Sequence, residues 1–222
     1  MVNNILTREV PMVFVKVLTL ALVVNSLLGC SFLDYFNTSH ECKTHAYIRQ
    51  SVTSYLSTRF HSGERARIGI LPFSVPANLT ATQAFPEGLP LEIARTLQAQ
   101  LLDFEELPIV EVLPREDWPG KRDEFSTGNH SAITMARNAG FDFVIVGMLE
   151  PLQSLNSATI NSKIIDTDNG VTLWYGRISF SAQLPPTSPF RRKGSDIVPI
   201  NFPEVLRSTL VCTAQEMMRE EE

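Results

Sequence analysis

The sequence predicts an α/β (α+β) protein. One three-layer domain holds a mixed five-stranded sheet, parallel in its first half, antiparallel in its C-terminal meander, and flanked by helices. Three features predict it. Apolar runs alternate with helically spaced stripes through the first part of the chain. The run Phe141 to Leu149 (FDFVIVGML) is apolar on both faces, as a central strand covered from both sides must be. Asn169-Gly170, within Thr167-Asp168-Asn169-Gly170, joins two β-rich runs and is the strongest short hairpin signal, since both turn residues must accept positive φ.

The 222 residues divide into a signal over 1–29, a tether over 30–42 and the domain over 43–222. Arg8 and Lys16 flank an apolar run from Val17 to Leu28, closed by Leu27-Leu28-Gly29-Cys30. That run is short for a membrane span, which needs about 20 apolar residues. It has the positive flank, apolar core and small residue before the cut that mark a cleaved secretory signal. Either Met1 or Met12 can begin such a signal.

A helix is expected from Lys43 to Phe60, because Ile48, Val52, Tyr55, Leu56 and Phe60 recur at spacings of three and four. Arg67 to Phe73 (RIGILPF) reads as a buried strand ended by Pro72 and a polar loop. Leu89 to Asp103 is a helix, with Leu89, Ile93, Leu97 and Leu101 on one stripe and Pro90 in its first turn, where a missing N–H costs nothing. Ile109 to Leu113 is a second strand. A polar loop runs on through Trp118, and Ser131 to Ala139 is a short helix stopped by Gly140. After the central strand, Ser157 to Asp166 and Val171 to Ala182 complete the meander, with Trp174, Ile178 and Phe180 on one core-facing row. A proline-rich basic loop (PPTSPFRRKG) then leads to a last helix from about Phe202 to Arg219, where Asn201 and Glu204 form a capping pair. Strands that alternate with helices are expected to be parallel.

A net charge of -5 gives no basic footprint for nucleic acid. Apart from Cys30 there are two cysteines, Cys42 and Cys212. In an oxidising envelope compartment they form a candidate disulfide, and the chain-entropy model assigns a bridge of that length roughly 5 kcal/mol. Two separate buried thiols remain the alternative at this point. His40-Glu41-Cys42-Lys43-Thr44-His45 places its histidines five apart, about 140° around a helix, so they cannot share a metal from one helix face. Asp166, Asp168 and Gly170 begin like a calcium loop, but Arg177 stands where the bidentate Glu belongs, and the hairpin turn is the better reading. No nucleophile elbow, phosphate loop, dinucleotide fingerprint or C-x-x-C pair occurs. No catalytic residue, metal or cofactor is therefore expected. Two polar loops stand out as partner contacts, Glu116 to Phe125 with Trp118 and Pro185 to Ser195 with Phe190, Arg191 and Arg192, because aromatic and Arg side chains dominate binding hot spots.

Leu27-Leu28-Gly29-Cys30 resembles the lipobox of bacterial lipoproteins. The resemblance implies cleavage before Cys30, lipidation of that residue (a diacylglycerol on its thiol, an acyl chain on its amine) and, with Ser31 following, transfer to the outer membrane facing the periplasm. The phrases RIGILPF, AGFDFVIVGML (Ala139 to Leu149) and SKIIDTDNGVTLWYGRI (Ser162 to Ile178) resemble the shared α/β domain of envelope lipoproteins. That group includes the curli-secretion lipoprotein CsgG, the flagellar lipoprotein FlgO, the polysaccharide-export lipoprotein PelC and the peptidoglycan-synthase activator LpoB. The flagellar type is the nearest in length and in placing a helix ahead of the first strand. A curli-type pore needs a pair of alternating runs of about 10 residues, which the chain lacks. A dozen tether residues span only about 40 Å, too short for the reach of a synthase activator.

The resemblance implies a non-enzymatic outer-membrane lipoprotein serving assembly of a flagellar or related secretion and export structure. Its partners would be the membrane through the lipid anchor, envelope proteins, and further copies in a homo-oligomeric ring. A periplasmic activator of a peptidoglycan synthase is the first alternative and an envelope hydrolase the second.

Overall fold

The computed structural model describes residues 40–60, 65–79, 88–104, 107, 109–113, 121–154, 156–182 and 202–219. In chain order the elements are β1 (His40–Arg49), α1 (Val52–Arg59), β2 (Arg67–Ile70), α2 (Leu89–Leu101), β3 (Ile109–Val112), α3 (Lys121–Thr127) and α4 (His130–Asn138). They continue as β4 (Phe143–Leu149), β5 (Ser157–Asp166), β6 (Thr172–Ala182) and α5 (Phe202–Met217). The strands form one sheet in the order β1-β6-β5-β4-β2-β3. β2 is parallel to β3 and β4, whereas β4, β5, β6 and β1 run antiparallel in sequence across the sheet. The parallel first half and the antiparallel meander are as the sequence predicts, with β4 in the interior.

The sheet has six strands rather than five, because the expected helix from Lys43 to Phe60 is two elements. His40–Arg49 is a strand and only Val52–Arg59 is helical. The stripe that suggested one helix straddled both: Val52 and Leu56 are buried, but Ile48 lies on the strand and is exposed. Ser51 marks the true helix start, its hydroxyl accepting from the Ser54 N–H at 3.1 Å, an N-cap. The tether expected through Cys42 therefore ends sooner, since His40–Cys42 already pair with Phe180–Ala182.

Two further corrections concern turns. The polar loop expected through Phe125 contains the helix Lys121–Thr127, which buries Phe125. In the β5–β6 turn Gly170 has φ 74° and Asn169 does not share the left-handed region, so both residues are not positive as a two-residue hairpin requires. Asp166 explains the difference. Its Oδ1 accepts from the N–H groups of Asp168 at 2.8 Å and Asn169 at 3.3 Å, and the Gly170 N–H reaches the Asp166 carbonyl at 2.9 Å. That carboxylate-centred turn is longer than a type I′ hairpin.

One face of the sheet is covered by α1, α2 and α5, which join Ile68, Ile70, Phe143, Ile145, Ile160, Trp174 and Ile178 in the main core. Two glycines let large rings lie flat on this face. A Cβ on Gly147 would stand 2.1 Å from the Phe73 ring and one on Gly176 2.4 Å from Trp174, both impossible contacts. Cys42 of β1 and Cys212 of α5 are joined through their sulfurs, with Cα atoms 6.3 Å apart. The bridge ties the edge strand to the helix lying across it.

Candidate functional site

Strand alternation sorts β6 into two rows. Trp174, Ile178 and Phe180 enter the main core, which is the packing role the sequence assigns to Trp174. Tyr175, Arg177 and Ser179 occupy the opposite face. On that face α3 and α4 cover only part of the sheet, where Leu71, Val144, Val146 and Ile165 pack against Phe125, Ala132, Ile133 and Ala136. Tyr175 and Met148 lie at the margin of this second cluster. Beyond them, over β5, β6 and β1, no helix among the described residues covers the sheet.

Phe125 forms the border. Its ring meets Tyr175 edge-on at 5.9 Å, and the Lys163 amine lies 4.5 Å from the Phe125 centroid and 4.9 Å from that of Tyr175. Lys163 Nζ also donates to the Phe125 carbonyl at 2.6 Å, so one lysine ties α3 to β5. Burial pushes the Lys163 pKa below its ordinary value. Burial first, then the neighbouring Tyr47, push the Tyr175 phenol upward.

On the open side Tyr47 stacks on Tyr175 with centroids 4.6 Å apart, and His45 packs edge-on against Tyr47 at 4.6 Å. A bulge between Ala46 and Ile48 sets Tyr47 out of register with β6 and leaves it 50% exposed. Next along β6, Arg177 Nη2 donates to Glu150 Oε2 at 2.7 Å, while Asn161 Nδ2 donates to Glu150 Oε1 at 2.8 Å. The hydrogen bond and charge of Glu150 raise the Arg177 pKa further, keeping the guanidinium ionised. Two stacked phenols thus stand beside an oriented guanidinium, residue types that are enriched at binding hot spots.

On the covered face Asp166, fully buried, pairs with Arg59 and accepts from the Tyr55 hydroxyl at 2.8 Å. Arg59 also pairs with Asp168 and lies 5.3 Å over the Phe143 ring. A guanidinium thus occupies the place a cation would take in a calcium loop. This knot fastens α1 to the β5–β6 turn. A groove of about 500 Å³ between α2 and α5 is lined by residues that include Arg95, Gln100, Leu206 and Arg207.

Cys30, Trp118, Phe190, Arg191 and Arg192 lie outside the described residues. Of the cysteines, the structure brings Cys42 and Cys212 together. His45 faces the open half-sheet. Among the described residues no group of three or more His, Cys, Asp or Glu could hold a metal ion, and no helix is long and apolar enough to cross a membrane. The helical spacing of Ile48, Val52 and Leu56 conceals this aromatic face, because His45 and Tyr47 lie on a strand. The alternation of Cys42, Thr44 and Ala46 with Lys43, His45 and Tyr47 is the signal that finds it.

No family model matches the chain, and no curated protein matches it. Among solved structures it is similar to the PelC dodecamer from Paraburkholderia phytofirmans, at 8% identity and a TM-score of 0.49, over 82% of this chain and 100% of that one. The hypothetical protein CT253 from Chlamydia trachomatis aligns at 12% identity and a TM-score of 0.41, over 69% of this chain and 98% of the other. The C-terminal domain of LpoB from Salmonella enterica aligns at 15% identity and a TM-score of 0.33, over 59% and 93% respectively. All three scores fall below 0.5, so the functional reading rests on this chain's own residues.

Proposed function

We propose that this protein is a lipid-anchored adaptor of the bacterial outer membrane, facing the periplasm and acting by binding other envelope proteins rather than by catalysis. The observation that carries this reading is Leu27-Leu28-Gly29-Cys30 at the end of an apolar run with a positive flank. Acylation of Cys30 would give two or more chains, enough for stable anchoring because each buried CH₂ is worth roughly 0.8 kcal/mol. β1 begins at His40, so about ten residues, at most about 35 Å when extended, separate the anchor from the sheet. The exposed Tyr47 and Arg177, with the half-buried Tyr175 between them, give such an adaptor a contact surface.

Within the envelope, service in the assembly of a flagellum or a related secretion or export structure, as a homo-oligomeric component, is supported by the three phrases that resemble the lipoprotein domain. Fractionation tests the anchor: wild-type chain is expected in the outer membrane, and Cys30→Ala is expected as unprocessed precursor lost from it. Equal distribution of the two would contradict the reading. Deleting the gene separates the roles. Loss of flagella or of secretion supports assembly, whereas intact appendages with altered wall synthesis would move the protein to the synthase-activator class.

A further inference from the structure

We propose that the bridge between Cys42 and Cys212 is a site of reduction by an envelope dithiol oxidoreductase, and that its opening releases β1 and lengthens the tether between anchor and domain. This rests on the lipid-anchored reading of Cys30 and adds a control to it.

β1 is held differently from every other strand. None of residues 42–49 is buried, whereas each of the other five strands places at least one side chain in a core. The β1 ladder to β6 is interrupted where the register shifts between Ala46 and Ile48. Towards α5 two side-chain ties stand out, the bridge from Cys42 to Cys212 and the pair of Arg49 with Glu216. An edge strand without buried side chains depends on such ties, because hydrogen bonds at a solvated edge open locally at little cost. The rest of the domain does not depend on β1. Trp174, Ile178 and Phe180 of β6 share the main core with Leu206 and Leu210 of α5, and α5 lies on β5 and β6 as well as on β1.

The bridge is open to attack from one side. Cys42 is exposed and Cys212 is 5% exposed, so an incoming thiolate reaches the Cys42 sulfur. Exposed disulfides belong to the labile class, and exchange runs through a mixed disulfide. The thiolate of the dithiol bonds to Cys42 Sγ, the bond between the two cysteines breaks, and Cys212 leaves as a thiolate that takes a proton. The second thiol of the reductant then attacks the sulfur joined to Cys42, closes the reductant's own disulfide and frees Cys42, which is protonated in turn. Two electrons and two protons pass from the dithiol to the bridge.

Release changes reach. With β1 in the sheet, about ten residues join Cys30 to His40, at most about 35 Å. With β1 free, about twenty join Cys30 to Ser51, at most about 70 Å. The tether ends there, because α1 buries Val52 and Leu56 and Arg59 pairs with Asp166. The adaptor's working distance from its membrane would double while the folded domain stays the same.

The test uses the full-length acylated chain in detergent micelles, with a thioredoxin whose resolving cysteine is replaced by serine as the trapping probe. The expected product is a mixed disulfide on Cys42 with Cys212 as a free thiol, mapped by mass spectrometry. Hydrogen exchange is then compared between the bridged chain and the chain reduced with dithiothreitol. On reduction, residues 43–49 are expected to exchange about a hundredfold faster or more, while β4 stays at least about a hundredfold better protected than β1 in the same sample. The pair Cys42→Ser and Cys212→Ala should show the reduced pattern without reductant. Attack at Cys212, no mixed disulfide, β1 protection that survives reduction, or protection lost from β4 together with β1 would each overturn the proposal, the last by making the bridge a staple of the whole fold. Acylation of Cys30 is read by mass from the same preparation, so failure of the anchor and failure of the redox release are distinguishable.

Discussion

Two halves of one sheet face behave differently. Over β2 and β4 the side chains are Leu71, Val144 and Val146, sealed beneath α3 and α4. Over β6 and β1 they are Tyr175, Arg177, His45 and Tyr47, with Tyr47 half exposed. Backbone pleat and spacing are common to both, so the difference is written in side chains. β4 is buried on both faces, whereas the second row of β6 alternates into Tyr175, Arg177 and Ser179. The lesson is that the covered half builds a second core, whereas the strands of the half that no helix covers among the described residues are secured by the opposite face and the disulfide.

This contrast makes graded predictions. The largest effect is expected from the pair Cys42→Ser and Cys212→Ala. It removes a bridge closing a separation of 170 residues, for which the chain-entropy model gives about 5 kcal/mol. Denaturant unfolding with and without reductant measures it, and exchange protection should fall first in β1, on the open half. Asp166→Ala follows at about 3 kcal/mol, because it removes the buried carboxylate that Arg59, the Tyr55 hydroxyl and the turn N–H groups share and leaves Arg59 only the exposed Asp168. Equilibrium unfolding checks this, and a loss below about 1 kcal/mol would mean that the knot behaves as a surface pair.

Gly147→Ala should cost about 3 kcal/mol, since the added methyl must displace the Phe73 ring from the core; calorimetry reads the fall in Tm. The smallest change is expected from Tyr47→Ala, about 1 kcal/mol for the loss of its aromatic contacts at a half-exposed site, read from the same unfolding curves. If Tyr47→Ala destabilised the fold as much as the glycine substitution, the open half would be a structural surface and the contrast would fail.

How far the sequence disclosed this depended on how local each signal was. The double-sided apolar run of β4 and the turn-flanked alternation of β5 and β6 are continuous in the chain, and each located its strand. β1 is concealed because Ile48 and Val52 fall by chance at helical spacing across the cap at Ser51 that divides strand from helix. The helix Lys121–Thr127 was hidden in a polar run whose single deeply buried anchor is Phe125. Contacts between distant residues are not written locally, and only the two cysteines offered a candidate for one. Arg59 meets Asp166 across 107 positions, Lys163 meets Phe125 across 38, and the pairing of Cys42 with Cys212 requires a proximity that spacing cannot supply. Cys30 is the reverse case: its motif is wholly local, and it carries the functional reading although it lies outside the described residues.

The most direct measurement is therefore the intact mass of the mature chain recovered from the membrane fraction. The expected product begins at Cys30 and carries a diacylglyceryl group and a third acyl chain. An unmodified chain, or one beginning at another residue, would contradict the lipid-anchored adaptor.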